Sequence, residues 1–216
     1  MTWRIMRWDL SPQRLLTGYM IGIFPMADDS GKVHWLAPDS RAIIELNSLR
    51  VSRSLRGVVR RGVFGIRIDT AFSDVLSACA DRPDGTWISP QIGDAYVELH
   101  RRGFAHSVEA WKDGVLSGGL YGVAIGGAFF GESMFHTATD ASKVALVHLV
   151  ERMRTRGMTL LDVQFMTEHL RRFGAIEIPR RNYERRLRDA VHSPSSFVDG
   201  GGSLILPNTL PEYLEP

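Results

Sequence analysis

The chain has 216 residues and a mass of 24.2 kDa, enough for one ordinary domain, or for one domain carrying a small appendage, and too little for a multidomain machine. Its 44% hydrophobic and 23% charged residues are globular averages, which excludes wholesale disorder, collagen-like repeats and coiled coils. The formal charge is only +2, yet the 26 cations include just three lysines, Lys32, Lys112 and Lys143. Arginine's planar fork suits phosphate and leaves a nucleic-acid partner open, although a GC-rich genome produces the same bias. No apolar run approaches the roughly 18 to 20 residues of a membrane span, and no signal-peptide core follows Met1, so a soluble cytoplasmic protein is expected. The lone Cys79 excludes an intramolecular disulfide and favours a reducing compartment.

In chain order, Ser11-Pro12 supplies an N-cap and an N1 proline, and the stripe Leu15, Leu16, Tyr19 predicts a helix to about Ile21. Gly22 to Pro38 reads as irregular, with aromatics among turn residues. Arg50, Arg53, Arg56, Arg60 and Arg61 fall at helical spacings on a segment that Ser52 caps, giving one cationic face; phosphate contact and a merely solvated face account for it equally. Thr70 to Ala80 and the segment from Ser89-Pro90 to Gly103 predict two further helices.

The period then changes. Ala105 to Lys112, Val115 to Val123 and Ala128 to Phe135 predict three antiparallel strands, the first two joined by the turn pair Asp113-Gly114. Asp140 is expected to cap a helix that Gly157 ends, Met158 to Phe165 a strand, and short helices to run to Phe173 and from Asn182 to Val191. The pattern predicts an α+β fold with a mixed, mainly antiparallel sheet rather than a βαβ array.

The chemistry is bounded first by what is missing. There is no P-loop or Rossmann fingerprint, and the seven histidines lack metal-ligand spacing, so neither a metal nor a cofactor is expected. Gly131-Glu132-Ser133-Met134-Phe135 misses the G-x-S-x-G elbow at its fifth residue. What remains is a polar seam in apolar strands. Strand alternation puts Asp162 and Gln164 on one face of Met158–Phe165, and Glu132 follows Phe129, Phe130 and Gly131 at a strand end.

A longer set of motifs points to a family. Gly22-Ile23-Phe24-Pro25-Met26, Trp35-Leu36-Ala37-Pro38-Asp39-Ser40-Arg41, Gly85-Thr86-Trp87-Ile88, Gly118-Gly119-Leu120-Tyr121-Gly122, Gly131-Glu132-Ser133-Met134-Phe135 and Asp162-Val163-Gln164 occur in one order. Together they resemble leucyl/phenylalanyl-tRNA–protein transferases from about Asp9 to Arg188. The resemblance implies a small N-terminal α/β domain (1–40) and a C-terminal GNAT-like acyltransferase domain (41–192), and the turn-rich composition of 193–216 predicts a loosely held tail. It implies transfer of Leu or Phe, less readily Met, from aminoacyl-tRNA to proteins with N-terminal Arg or Lys in the bacterial N-degron pathway. The chain departs from the pattern in starting almost at Asp9, in having Met26 and Leu36 where many members have Trp, and in having Ser40 for a common Pro.

By that resemblance Asp162, Gln164 and Glu132 form the catalytic group, Leu120, Phe129 and Leu161 line an aminoacyl pocket, and Tyr19, Met26, Trp87 and Tyr96 meet the terminal adenosine. Tyr96 also fits its own helix's apolar stripe. Aminolysis of an ester needs a partly neutral α-amine, a place for its proton and donors for the oxyanion. Asp162 is expected to polarise Gln164, which contacts the amine. Because an amide cannot hold the proton, either a buried Asp162 or a substrate hydroxyl must. Two rivals remain: a CoA-dependent GNAT acetyltransferase, disfavoured by Thr137-Ala138-Thr139-Asp140-Ala141 where a glycine-rich pyrophosphate turn belongs, and a non-catalytic tRNA-binding module built on the arginine face.

Overall fold

A computed structural model describes residues 9–83 and 85–199. Helix α1 (Pro12–Met20) starts at Pro12 and buries Leu15, Leu16 and Tyr19. Ser11 precedes it without capping it, because its hydroxyl and backbone N–H both donate to Asp9 Oδ1. The stretch expected to be irregular contains an antiparallel hairpin, β1 (Phe24–Ala27) and β2 (Val33–Leu36), paired from Phe24–Leu36 to Ala27–Val33. Asp28 organises its turn by accepting N–H bonds from Ser30 and Lys32.

A seven-stranded sheet forms the body, in the order β4 (Gly65–Ile68), β5 (Ala105–Lys112), β6 (Val115–Ile125), β7 (Ala128–His136), β8 (Leu160–Gln164), β3 (Ser40–Ile44), β9 (Ile176–Pro179). Every pairing is antiparallel except β7–β8, which α5 (Ala141–Thr155) connects, so one βαβ unit sits inside the expected meander. Asp113 and Gly114 both take positive φ, as a two-residue hairpin turn between right-twisted strands requires.

Two buried clusters clothe the sheet. One gathers α1, α3 (Phe72–Ala80), α4 (Pro90–Arg101) and α7 (Arg180–Val191); the other gathers α2 (Arg53–Arg60) and α5. Leu15, Tyr19, Phe24 and Trp35 belong to the same cluster as Tyr121, Phe130 and Tyr183, so the N-terminal elements share the core of the main sheet. Ser52 and Ser89 cap α2 and α4 by accepting the N–H of Leu55 and Ile92. Among the described residues no helix is long and apolar enough to cross a membrane.

Several elements differ from the sequence expectation. β3 and β9 carry no clean alternation, β3 being buried at four of its five positions, and β4 alternates over only four residues. Asp140 has φ 70° and binds Lys143 Nζ at 2.7 Å instead of capping α5. The start of the expected loose tail is held, since Phe197 is buried against Phe129 and His106, with Arg152 over its ring. The remainder of that tail, 200–216, lies outside the described residues, as do 1–8 of the expected N-terminal domain.

Candidate active site

The site forms where the sheet divides. β7 and β8 pair through Ala128–Leu160, Phe129–Leu161 and Phe130–Asp162, and their pairing stops there. Just past the split both strands slip against their outer neighbours. Tyr121 faces Ser133 but Gly122 faces Gly131, leaving Glu132 as an extra residue in β7. Ala42 faces Gln164 but Ile43 faces Asp162, leaving Val163 extra in β8. Bulges re-aim the side chains around them, and here Glu132 and Gln164 meet across the gap, with Gln164 Nε2 donating to Glu132 Oε1 at 2.8 Å. Glycine is required at Gly122, where a Cβ would lie 2.2 Å from the Phe130 carbonyl oxygen.

Gln164 has φ 63°, the left-handed region that a non-glycine residue enters at a cost. Two bonds hold it there: its N–H donates to Asp162 Oδ1 at 2.8 Å, and the Phe165 N–H donates to the Val163 carbonyl at 2.7 Å. Asp162 therefore grips the backbone of Gln164, while the side-chain amide belongs to Glu132. Asp162 is itself enclosed. It accepts the fork of Arg41 through Nε and Nη2 at 2.7–3.0 Å and the Tyr183 hydroxyl at 2.6 Å. Arg41 lies over the rings of Phe24 and Tyr183 and donates through Nη1 to the Gly22 carbonyl. Burial opposes its charge, but Asp162 more than offsets this, so its pKa is raised and it stays a cation.

Glu132 has a different environment. Besides Gln164 it bonds the hydroxyls of Tyr19 at 2.7 Å and Tyr96 at 3.1 Å, which also bond each other; the two phenol protons serve two of these three contacts, and the third is made when Glu132 is protonated and donates. All three partners are neutral. Burial pushes the carboxyl up to about 7, against the pull of the bonds from Tyr19, Gln164 and Tyr96 and with some help from the charge of Asp162.

A cavity of about 310 Å³ opens at the split, at the small end of small-molecule sites. Leu120, Leu161, Leu146 and Leu149 give it apolar walls, and Glu132 and Gln164, bonded to each other, belong to a polar lining that also includes Arg82, Ser133, Thr167 and His169. The family described as leucyl/phenylalanyl-tRNA protein transferase matches residues 43–188, and that of its N-terminal domain matches 9–39. The chain belongs to the leucyl/phenylalanyl-tRNA protein transferase family. It is 53% identical to the leucyl/phenylalanyl-tRNA–protein transferase of Gloeobacter violaceus over 87% of this chain and 97% of that one. To the enzyme of the same name from Rubrobacter xylanophilus it is 54% identical over 88% and 99%. The solved structure of L-PGS from Bacillus licheniformis aligns with 69% of this chain and 51% of its own at 14% identity and a TM-score of 0.40, too loose a likeness to fix the fold.

In this transferase, an aminoacyltransferase by its family, the structure brings together only some of the expected residues. Leu120, Leu161, Glu132, Gln164, Met26 and Trp87 all border the cavity. Phe129 does not: it sits in the still-paired part of β7 and is covered by Phe197 at 5.0 Å. Tyr19 and Tyr96 are fully buried, so neither presents a ring face for a base to stack on, and their hydroxyls serve Glu132 instead. Trp87 and Met26, both half-buried, are the members of that group within reach of a ligand. Arg50, Arg53, Arg56, Arg60 and Arg61 are all exposed, and none borders the cavity. α2 packs on α5, the helix that supplies Leu146 and Leu149.

Sequence reasoning assigned no role to Arg41, although it ends the Trp35–Arg41 motif and a lone arginine in an apolar strand signals a buried partner. Tyr183 left no signal, because its helix reads as a solvated arginine-rich surface. Leu146 and Leu149 read only as core.

Proposed function

We propose that this transferase moves Leu or Phe, less readily Met, from aminoacyl-tRNA to the α-amine of proteins beginning with Arg or Lys, in the bacterial N-degron pathway and in the cytoplasm. One observation carries the chemistry: a buried carboxyl held near neutrality, bonded to an amide, in the lining of a cavity with apolar walls. The apolar walls suit Leu and Phe and reject charge, and such walls separate similar hydrophobes by only about 1–3 kcal/mol per methylene.

In the proposed mechanism the amine of the acceptor attacks the ester carbonyl, the C–N bond forms, and the acyl C–O bond to the ribose breaks. Gln164 orients the amine through its carboxamide oxygen while its Nε2 stays on Glu132. Glu132 takes the proton, which then returns to the departing ribose hydroxyl. Asp162 is kept from that task by Arg41 and Tyr183; it positions Gln164. Trp87 supplies a stacking face for the terminal adenosine, and the arginines of α2 meet phosphates of the tRNA body. In this proposal the chain divides near residue 40 into an N-terminal segment and the catalytic domain.

The test uses purified protein, labelled Leu-tRNA or Phe-tRNA and a peptide starting with Arg, with labelled acetyl-CoA as a parallel donor. Label should pass from tRNA to peptide and not from acetyl-CoA. Retention of tRNA without any transfer would favour a binding module and end this reading.

A further inference from the structure

Two buried side-chain polar atoms among the described residues have no hydrogen-bond partner within the protein: the Tyr121 hydroxyl and His169 Nε2. Both residues border the cavity, Tyr121 from β6 and His169 from α6 (Glu168–Arg172). Folded proteins leave few such atoms unpaired, because a buried polar group that gives up water without a replacement costs free energy. That both occur at one cavity marks it as a place where a ligand completes the bonding.

Tyr121 is the more informative of the two. Its ring is inaccessible and held edge-on by Phe72 and Tyr96, at centroid distances of 5.9 and 5.5 Å. Phenylalanine would satisfy all of that packing, so the fold has no use for the hydroxyl. The residue stands opposite Ser133 at the slip in register that also displaces Glu132, and all three line the same cavity. Burial raises the phenol's pKa well above its ordinary value, and the neighbouring Glu132 carboxylate adds to this, so it keeps its proton and acts as a donor. Glu132 is already served by Tyr19, Tyr96 and Gln164. The donor left over needs an acceptor from outside the protein.

We infer that Tyr121 donates a hydrogen bond to the carbonyl oxygen of the aminoacyl ester. The inference rests on the functional reading above and adds a substrate-contacting residue to it. A phenol fixed by packing on a bulged strand is preorganised for an oxygen that gains negative charge as the amine attacks, so its bond strengthens towards the transition state.

Tyr121→Phe removes the hydroxyl and nothing else. Calorimetry would compare wild type and variant with two probes, 3′-phenylalanylamino-3′-deoxyadenosine, which carries the carbonyl on a stable amide, and adenosine, which lacks it. The variant's melting temperature should equal or exceed that of wild type. Its affinity for the aminoacyl nucleoside should weaken about 5–10-fold, its affinity for adenosine should not change, and kcat for transfer should fall about 100-fold. A lower melting temperature would show that the hydroxyl serves the interior and overturn the assignment. So would equal weakening for both probes, or unchanged affinity and kcat. Wild type that neither binds the aminoacyl nucleoside nor transfers Leu would sink the functional reading itself, an outcome distinct from a functional wild type matched by its Tyr121→Phe variant.

Discussion

Glu132→Gln should make the protein more stable at alkaline pH while abolishing its chemistry. A carboxyl whose folded-state pKa is raised favours the folded state while it is protonated, and that contribution is lost as pH rises through the folded value. For Glu132, raised by burial from 4.5 to about 7, it is complete below pH 4.5 and lost through about pH 7. At about 1.4 kcal/mol per pH unit, ionising the buried group at pH 8 or above costs roughly 3 kcal/mol. Glutamine carries no charge to desolvate. Its amide nitrogen cannot accept, so one tyrosine hydroxyl must turn to receive its N–H, a loss of about 1 kcal/mol. The net gain is roughly 1–2 kcal/mol, or about 2–8 °C in a domain of this size.

The assay is differential scanning calorimetry of both proteins from pH 5 to 9. The variant should melt slightly below wild type at pH 5 and above it at pH 8 and 9, the curves crossing between. A difference that stays constant across that range would mean Glu132 does not ionise within it, and the proton acceptor would have to be sought elsewhere. In parallel, wild-type kcat/KM should rise with pH through about 7, steeper than the acceptor amine alone accounts for, and the variant should lose at least 100-fold.

Arg41→Met leaves the Asp162 charge buried without its cation and should cost about 3–5 kcal/mol by urea denaturation; a loss under 1 kcal/mol would show that the pair is not what holds β3 to β8. Gln164→Gly and Gln164→Ala should both be inactive, but the glycine variant should be the more stable by about 1 kcal/mol, since only alanine retains the left-handed strain. Trp87→Ala should raise KM for aminoacyl-tRNA by about 5–100-fold with kcat little changed, the signature of a lost stacking contact. Reversing charge at Arg53, Arg56 and Arg60 should weaken tRNA binding and flatten its dependence on salt in a filter assay; an unaltered slope would mean that these arginines face only solvent.

The sequence displays its long periodic elements because their burial repeats. α4 announces itself through Ser89-Pro90 and the stripe Ile92, Tyr96, Leu99, and the β5–β6 hairpin through Asp113-Gly114. β3 was hidden by the opposite circumstance: with Arg41 to Ile44 all buried, its two faces read alike, and the arginine among them looked foreign to a strand. The same limit applied at the site. Alternation places Asp162 and Gln164 side by side on one face, but Gln164 leaves the extended region and Val163 drops out of register, so the two side chains go to different partners. A bulge is one residue of miscount between two strands, and neither strand alone records it. Tyr19 and Tyr96 are legible as a pair of aromatics, but nothing in their spacing tells that their hydroxyls converge on Glu132 from two helices.

That convergence explains how two carboxyl groups a bulge apart can be given different work. Asp162 meets a guanidinium fork and two further donors, so its charge is matched where it stands and its place is fixed. Glu132 has fewer hydrogen bonds and meets only phenols and an amide, which supply dipoles and no charge. Hydrogen bonds alone draw a carboxyl's pKa down, yet burial overrides them here, where no cation bonds the carboxyl directly. If this contrast sets the two roles, moving a cation to Glu132 should remove its capacity to receive a proton near neutrality. Tyr96→Lys would place an ammonium in that position. Its expected effect is a pH–rate profile whose lower limb shifts to acid pH and a reduced kcat, with Asp162 and Arg41 untouched; a profile still centred near pH 7 would show that the proton is taken by another group.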